Sequence, residues 1–233
     1  DDVTAKTEAV FGDDAICASN PSTLPITGLA RASKRPAQFF GIHFFSPVDK
    51  MPLVEIIVGE ETDDVAIAQA LDYVQQIRKT PIVVNDSRGF YTSRVFGTYS
   101  KEGIMMLAEG VNPALIENVA KHSGMPVGPL AVTDEVSIEL SYHVLKMTQE
   151  GLGDAYVATS ADDVITRFIE ELDRKGKKNG KGFYDYPGDG KKRLWPGLGE
   201  HFPLAEDQPS AYEVRKRILY VQAIDSVRCL DEG

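Results

Sequence analysis

Cysteine is scarce: Cys17 and Cys229 are the only two in 233 residues, and they stand in no CxxC or metal-ligand spacing. That excludes a disulfide framework and a structural zinc site, and it makes a reduced, cytoplasmic compartment the expectation. No apolar run reaches the roughly 18 residues of a membrane-spanning helix, and no signal-peptide pattern is present. Basic charge is also short, with 25 Lys and Arg against 35 Asp and Glu and a net charge of −10. Neither nucleic acid nor an anionic membrane surface suits that balance as a main partner. Low-complexity tracts are missing. What remains is ordinary: 42% hydrophobic and 26% charged residues describe a globular chain, long enough for one large domain or two modest ones. An initiator Met is missing too, and the first residues already read as helix, so a piece of a longer protein is expected.

The stretch GIHFFSPVDKMPLVEII, Gly41–Ile57, carries the sharpest pattern. Two apolar runs, 39–45 and 53–58, each hold one ionisable residue, His43 and Glu55. A turn signal, Ser46-Pro-Val-Asp-Lys-Met-Pro52, separates them, so two neighbouring strands are predicted. Such strands could bring His43 and Glu55 within hydrogen-bond reach. A histidine held by a carboxylate is the minimal general-base unit, because the carboxylate sets the tautomer and stabilises the imidazolium. A satisfied core histidine beside an unrelated strand glutamate fits the same spacing.

Along the chain, Val3–Phe11 reads as a helix ended by Gly12, and Asp14–Ala18 as a buried strand. Ser22 or Thr23 is expected to cap a helix reaching Ala32. Thr62 is the expected N-cap of a helix with Val65, Ala68, Leu71, Val74 and Ile77 on its apolar face, and Pro81–Val84 closes the region as a strand. Alternating strands and helices indicate an α/β sheet, the last part of a doubly wound one. From Asp86 only helices follow: about 90–109, 113–122 (Asn112 as cap, Pro113 first, Gly124 beyond the end), 134–151 and 162–174. Residues 176–199 read as loop, with Phe183-Tyr-Asp-Tyr186 as an aromatic packing plug, and a last helix begins near Ser210. The expected organisation is therefore 1–85, 86–199 and 200–233, an α/β part followed by an all-α part.

Five segments in order resemble the 3-hydroxyacyl-CoA dehydrogenase family: SNPSTLPI at 19–26, GIHFFSPV with Glu55, DSRGFYTSR at 86–94, MPVGPLAVTDEV at 125–136 and GKGFYDY at 180–186. The long tail is most similar to multifunctional fatty-acid oxidation α subunits. The resemblance implies the C-terminal part of a Rossmann-like NAD-binding domain, then a helical substrate and dimerisation domain and the start of a second helical repeat. It implies NAD-dependent oxidation of (S)-3-hydroxyacyl-CoA to 3-oxoacyl-CoA in β-oxidation, with NAD as cofactor, acyl-CoA as substrate and no metal. It also implies a dimer, or a complex with a thiolase subunit, in a full-length protein that could carry an enoyl-CoA hydratase domain upstream.

Residue by residue, the resemblance makes His43 the base for the 3-hydroxyl proton and Glu55 its orienting partner. Ser22 falls on a serine that touches substrate and cofactor. Ser46 stands where the family usually has an Asn at the nicotinamide, and Ser93 where it has an Asn near the substrate carbonyl. Serine keeps a donor and an acceptor but is shorter. Arg94 matches the signature, and a structural pairing fits it equally.

Other residues read as structural. His122 suits the C-terminal end of a helix dipole, and His143 and His201 have no partner motif. Gly151-Leu-Gly153 is a helix stop. The eight Lys and Arg residues from Arg174 to Arg193 could meet the phosphates of CoA, but a solvated basic loop is the favoured reading, and Glu60–Asp64 reads as an acidic helix start. No GxGxxG is present, so the chain alone is expected to lack the pyrophosphate site and could be inactive by itself. Two other readings stay open here. One is another NAD-dependent hydroxy-acid dehydrogenase, for which Lys101 would be the catalytic residue; the other is a non-catalytic helical assembly module.

Overall fold

The computed structural model describes residues 2–12, 15–21, 24–188 and 190–232. The chain divides into two compact units, Asp1–Val95 with Cys229–Gly233, and Phe96–Arg228.

The first unit holds α1 (Asp2–Glu8), β1 (Cys17–Ser19), α2 (Ile26–Ala30), β2 (Phe39–Phe44), β3 (Leu53–Val58), α3 (Asp64–Gln76) and β4 (Thr80–Asn85). The four strands form one sheet in the order β1-β2-β3-β4. β1 and β2 run parallel, β2 and β3 antiparallel, β3 and β4 parallel. β2 and β3 are buried along nearly their whole length, which is why both read as continuous apolar runs rather than alternating ones. Alternation instead sorts their side chains between two cores. Phe40, Ile42, Val54 and Ile56 meet Ala66, Ala70 and Val74 of α3. Phe39 and Ile57 meet Ile26 and Ala30 of α2 together with Phe90. On this second face a Cβ at position 41 would lie 2.7 Å from Ile26 Cδ1 and 2.9 Å from Ile57 Cβ, so only glycine lets α2 approach.

Local expectations shift in several places. The first strand is Cys17–Ser19 instead of Asp14–Ala18, whose first residue lies outside the described residues. Ser22 and Thr23 also lie outside them. The N-cap position of α2 is Pro25, which offers no side-chain cap. The helix start is held from a distance: Ile26 and Thr27 donate their N–H groups to the Asp86 carboxylate at 2.9 and 2.8 Å. The N-cap of α3 is Asp63, accepting from Ala66 N. Thr62 donates to Phe39 O at 2.6 Å instead and so ties the helix start to β2. The buried face of α3 follows an i, i+4 spacing, Ala66–Ala70–Val74, and leaves Val65 and Ile77 exposed; of the expected apolar positions only Val74 is fully buried.

From the end of the first unit, α4 (Thr92–Ala108) leads into α5 (Pro113–His122), α6 (Pro129–Val136), α7 (Ile138–Leu152) and α8 (Ser160–Glu170). Asn112 caps α5 through Ala114 N, with Pro113 in the first turn. The single helix expected over 134–151 is two. The chain breaks at Ser137, where φ is 103°, and the first of the two starts earlier, at Pro129. Residues 176–199 contain a short hairpin, β5 (Tyr184–Asp185) with β6 (Arg193–Leu194), and the start of α9 (Leu198–His201). The last helix, α10, is Ala211–Glu232.

Phe183 and Tyr184 are buried in the core of the second unit, with Phe183 4.3 Å from the Phe168 ring. The segment is a plug, and a polar one. Asp134 accepts the N–H groups of Phe183 and Tyr184, both at 2.8 Å, and the Tyr186 hydroxyl at 3.0 Å. Glu117 accepts the Tyr184 hydroxyl at 2.7 Å and Leu130 N at 2.8 Å. A Cβ at position 182 would fall 1.9 Å from Asp134 Oδ1, so glycine is required there. Arg174 does not belong to a solvated loop. It is buried, bonds Gly182 O and Asp185, and lies 4.0 Å over the Trp195 ring.

Candidate active site

His43 and Glu55 are directly opposite each other in the antiparallel pair β2–β3. Opposed residues project to the same face of a sheet, here the face that carries Phe90 and α2. His43 Nδ1 and Glu55 Oε2 are 2.7 Å apart. Glu55 is fully buried and His43 nearly so. A buried carboxylate must be compensated by donors, and Glu55 has them. Thr92 N–H donates to Oε1 at 2.8 Å, and the Thr92 hydroxyl donates to Oε2 at 2.7 Å. Because an ionised carboxylate only accepts, Nδ1 carries the proton in its bond to Glu55, and Nε2 of the neutral ring presents a lone pair. The rings of Phe45 and Phe90, with centroids at 4.5 and 5.9 Å, flank the imidazole and limit its movement.

The structure thus brings together His43 and Glu55. Ser93 follows Thr92 in the first turn of α4 and is half-buried, while Ser46 is exposed just beyond β2. Ser22 lies outside the described residues. Arg94 pairs with Glu232, its Nη2 3.2 Å from Oε1. His122 ends α5, His143 bonds the carbonyl of Glu139 within its own helix, and His201 stacks on Trp195. Sequence reasoning passed over Thr92 and Phe90, although both belong to the DSRGFYTSR segment. Their proximity to Glu55 and His43 depends on β4 returning the chain beside β3. Among the described residues no group of three His, Cys, Asp or Glu could hold a metal ion. No helix among them is long and apolar enough to cross a membrane.

For a nicotinamide dinucleotide, the side chains among the described residues fit at the reacting end. The buried His43–Glu55 unit suits the end that exchanges hydride, where a base is needed. No glycine-rich GxGxxG turn is present in the sequence for the pyrophosphate.

Comparison with known proteins agrees with this architecture. Residues 1–87 match the family described as 3-hydroxyacyl-CoA dehydrogenase, NAD binding domain, and residues 89–186 its C-terminal domain. The chain is 38% identical over 230 residues to the fatty acid oxidation complex subunit alpha of Shewanella loihica, covering 97% of this chain and 32% of that one. It is equally similar, 38% over 247 residues, to the same subunit of Pseudomonas aeruginosa, covering 99% and 33%. The chain therefore spans about a third of the length of these relatives. Among solved structures, (S)-3-hydroxybutyryl-CoA dehydrogenase from Ralstonia eutropha superposes with a TM-score of 0.73 at 30% identity, over 80% of this chain and 65% of that one. The dehydrogenase part of multifunctional enzyme 1 from C. elegans gives 0.67 at 25% identity, over 100% and 53%. By both halves of its sequence, the chain belongs to the 3-hydroxyacyl-CoA dehydrogenase family.

Proposed function

We propose that the chain supplies the catalytic half of an enzyme that oxidises (S)-3-hydroxyacyl-CoA to 3-oxoacyl-CoA with NAD. The observation that carries this reading is the buried 2.7 Å contact between His43 Nδ1 and Glu55. In the reaction His43 Nε2 takes the proton of the 3-hydroxyl group as the C3–H bond breaks. A bound NAD would supply the hydride acceptor for C3. Glu55 holds the ring in the tautomer that leaves Nε2 basic and stabilises the imidazolium once the proton arrives; the general base so positioned contributes about 10²–10⁴-fold. Phe45 and Phe90 exclude water from the ring's flanks. Ser93 is assigned to the substrate carbonyl side and Ser46 to the nicotinamide side; Ser22, outside the described residues, is assigned to both.

On this reading 1–85 is the cofactor part, 86–199 the helical substrate and dimerisation part, and 200–233 a separate helical segment. A thiolase subunit is the proposed assembly partner, in keeping with relatives named as subunits of a fatty acid oxidation complex. Two cysteines far apart in the sequence, Cys17 and Cys229, suit a cytoplasmic setting.

The test is substrate choice. The chain joined to the nucleotide-binding βαβ units of a family relative should reduce NAD with 3-hydroxybutyryl-CoA and not with free 3-hydroxybutyrate. Turnover of the free acid alone would point to a hydroxy-acid dehydrogenase, and turnover of neither to an assembly module.

A further inference from the structure

We infer that Thr92 is a positioning residue for the proposed base, the third member of a His43–Glu55–Thr92 relay; this rests on the oxidation proposed above. Glu55 is wholly buried, so its two oxygens need donors inside the fold. Thr92 provides two of them, one to each oxygen: its N–H reaches Oε1 at 2.8 Å and its hydroxyl reaches Oε2 at 2.7 Å. Donors to both oxygens from one residue fix the plane of the carboxylate. Oε2 is the same atom that holds His43 Nδ1. The imidazole direction is thus set by the carboxylate plane, and the carboxylate plane by Thr92. The backbone bond survives any substitution at 92 but proline, whereas the hydroxyl bond depends on the side chain alone.

The hydroxyl also shares the negative charge of Oε2 with the imidazole. Hydrogen bonds to charged groups are among the stronger ones in proteins. Thr92→Val keeps the shape and the N–H but leaves His43 as the side-chain donor to Oε2 among the described residues. The carboxylate then keeps the backbone bond on Oε1 and His43 on Oε2, but loses the hydroxyl that holds Oε2 in place, and the aim of the ring is less tightly fixed.

Two readouts separate this role from mere packing. In ¹H–¹⁵N NMR of the chain itself, the His43 Nδ1–H should give a solvent-protected downfield signal. That signal should persist in Thr92→Ser and broaden or vanish in Thr92→Val, with Thr92→Ala repeating the result without β-branching. In the chain completed with a nucleotide-binding half, Thr92→Val should lower kcat about tenfold. KM for NAD and for 3-hydroxyacyl-CoA should stay within twofold, and Thr92→Ser should recover the parent rate to within twofold. An unchanged Nδ1–H signal in Thr92→Val, or a Thr92→Ser enzyme as slow as Thr92→Val, overturns the relay. The NMR arm needs no turnover. Loss of the signal in Thr92→Val therefore supports the positioning contact even where activity assays contradict the oxidation itself.

Discussion

His43 and Glu55 meet because residues 45–52 form a connection that returns β3 antiparallel to β2 in a register placing position 43 opposite position 55. Each is surrounded by residues whose burial is independently favoured, so the sheet would form around them whether or not they did chemistry. That is why the pair was legible: two apolar runs, a turn signal and one ionisable residue in each leave few arrangements. Thr92 was not legible in the same way, since its contact joins positions 37 apart and uses a backbone donor that no side-chain pattern announces. Ser93 follows it in α4, and its assignment can be checked directly. If the hydroxyl reaches the substrate carbonyl, Ser93→Ala should lower kcat/KM by about 1–3 kcal/mol of lost or unsatisfied hydrogen bonding. NAD affinity should hardly change. A variant that weakens NAD binding while sparing turnover of bound substrate would place Ser93 on the cofactor instead.

Among the elements, strands β2 and β3 and helix α5 follow their sequence signals closely, because continuous apolar runs and an Asn-Pro start are strong local determinants. α3 was correctly placed as a helix but with its apolar face rotated, since alanines at 66 and 70 fill the close contact with the sheet and larger residues at 65 and 77 face out. The break at Ser137 has no local warning such as Gly or Pro. It arises where Ile138 N–H turns to the Lys175 carbonyl at 3.1 Å and leaves the helical ladder. The plug from Gly182 to Tyr186 was recognisable as packing, but its carboxylate anchors were not. Burial pushes the Asp134 carboxyl up to about 6 from 3.8, against the opposing pull of Tyr184 and Phe183 N–H, the Tyr186 hydroxyl and Arg174. A raised carboxyl holds its proton more tightly in the folded state. Its contribution to stability is therefore full below about pH 4 and is lost as pH rises through about 6, with about 3 kcal/mol at stake. Denaturant unfolding of the parent and of Asp134→Asn checks this. The parent's advantage over the variant should shrink between pH 4 and pH 7, and a gap independent of pH would show that Asp134 titrates alike in both states.

At the scale of the molecule, the chain divides into an α/β unit, Asp1–Val95 with Cys229–Gly233, and a mainly helical unit, Phe96–Arg228, whereas the sequence pattern changes from alternating strands and helices to helices nearer Asp86. The central claim is that a histidine buried against a carboxylate acts as the base of alcohol oxidation. Its most direct test is the rate of 3-oxoacyl-CoA formation by His43→Ala in the chain completed with a nucleotide-binding half, followed as NADH appears. The account predicts a fall of about 10²–10⁴-fold with the fold intact by circular dichroism; a His43→Ala enzyme within tenfold of the parent would contradict it.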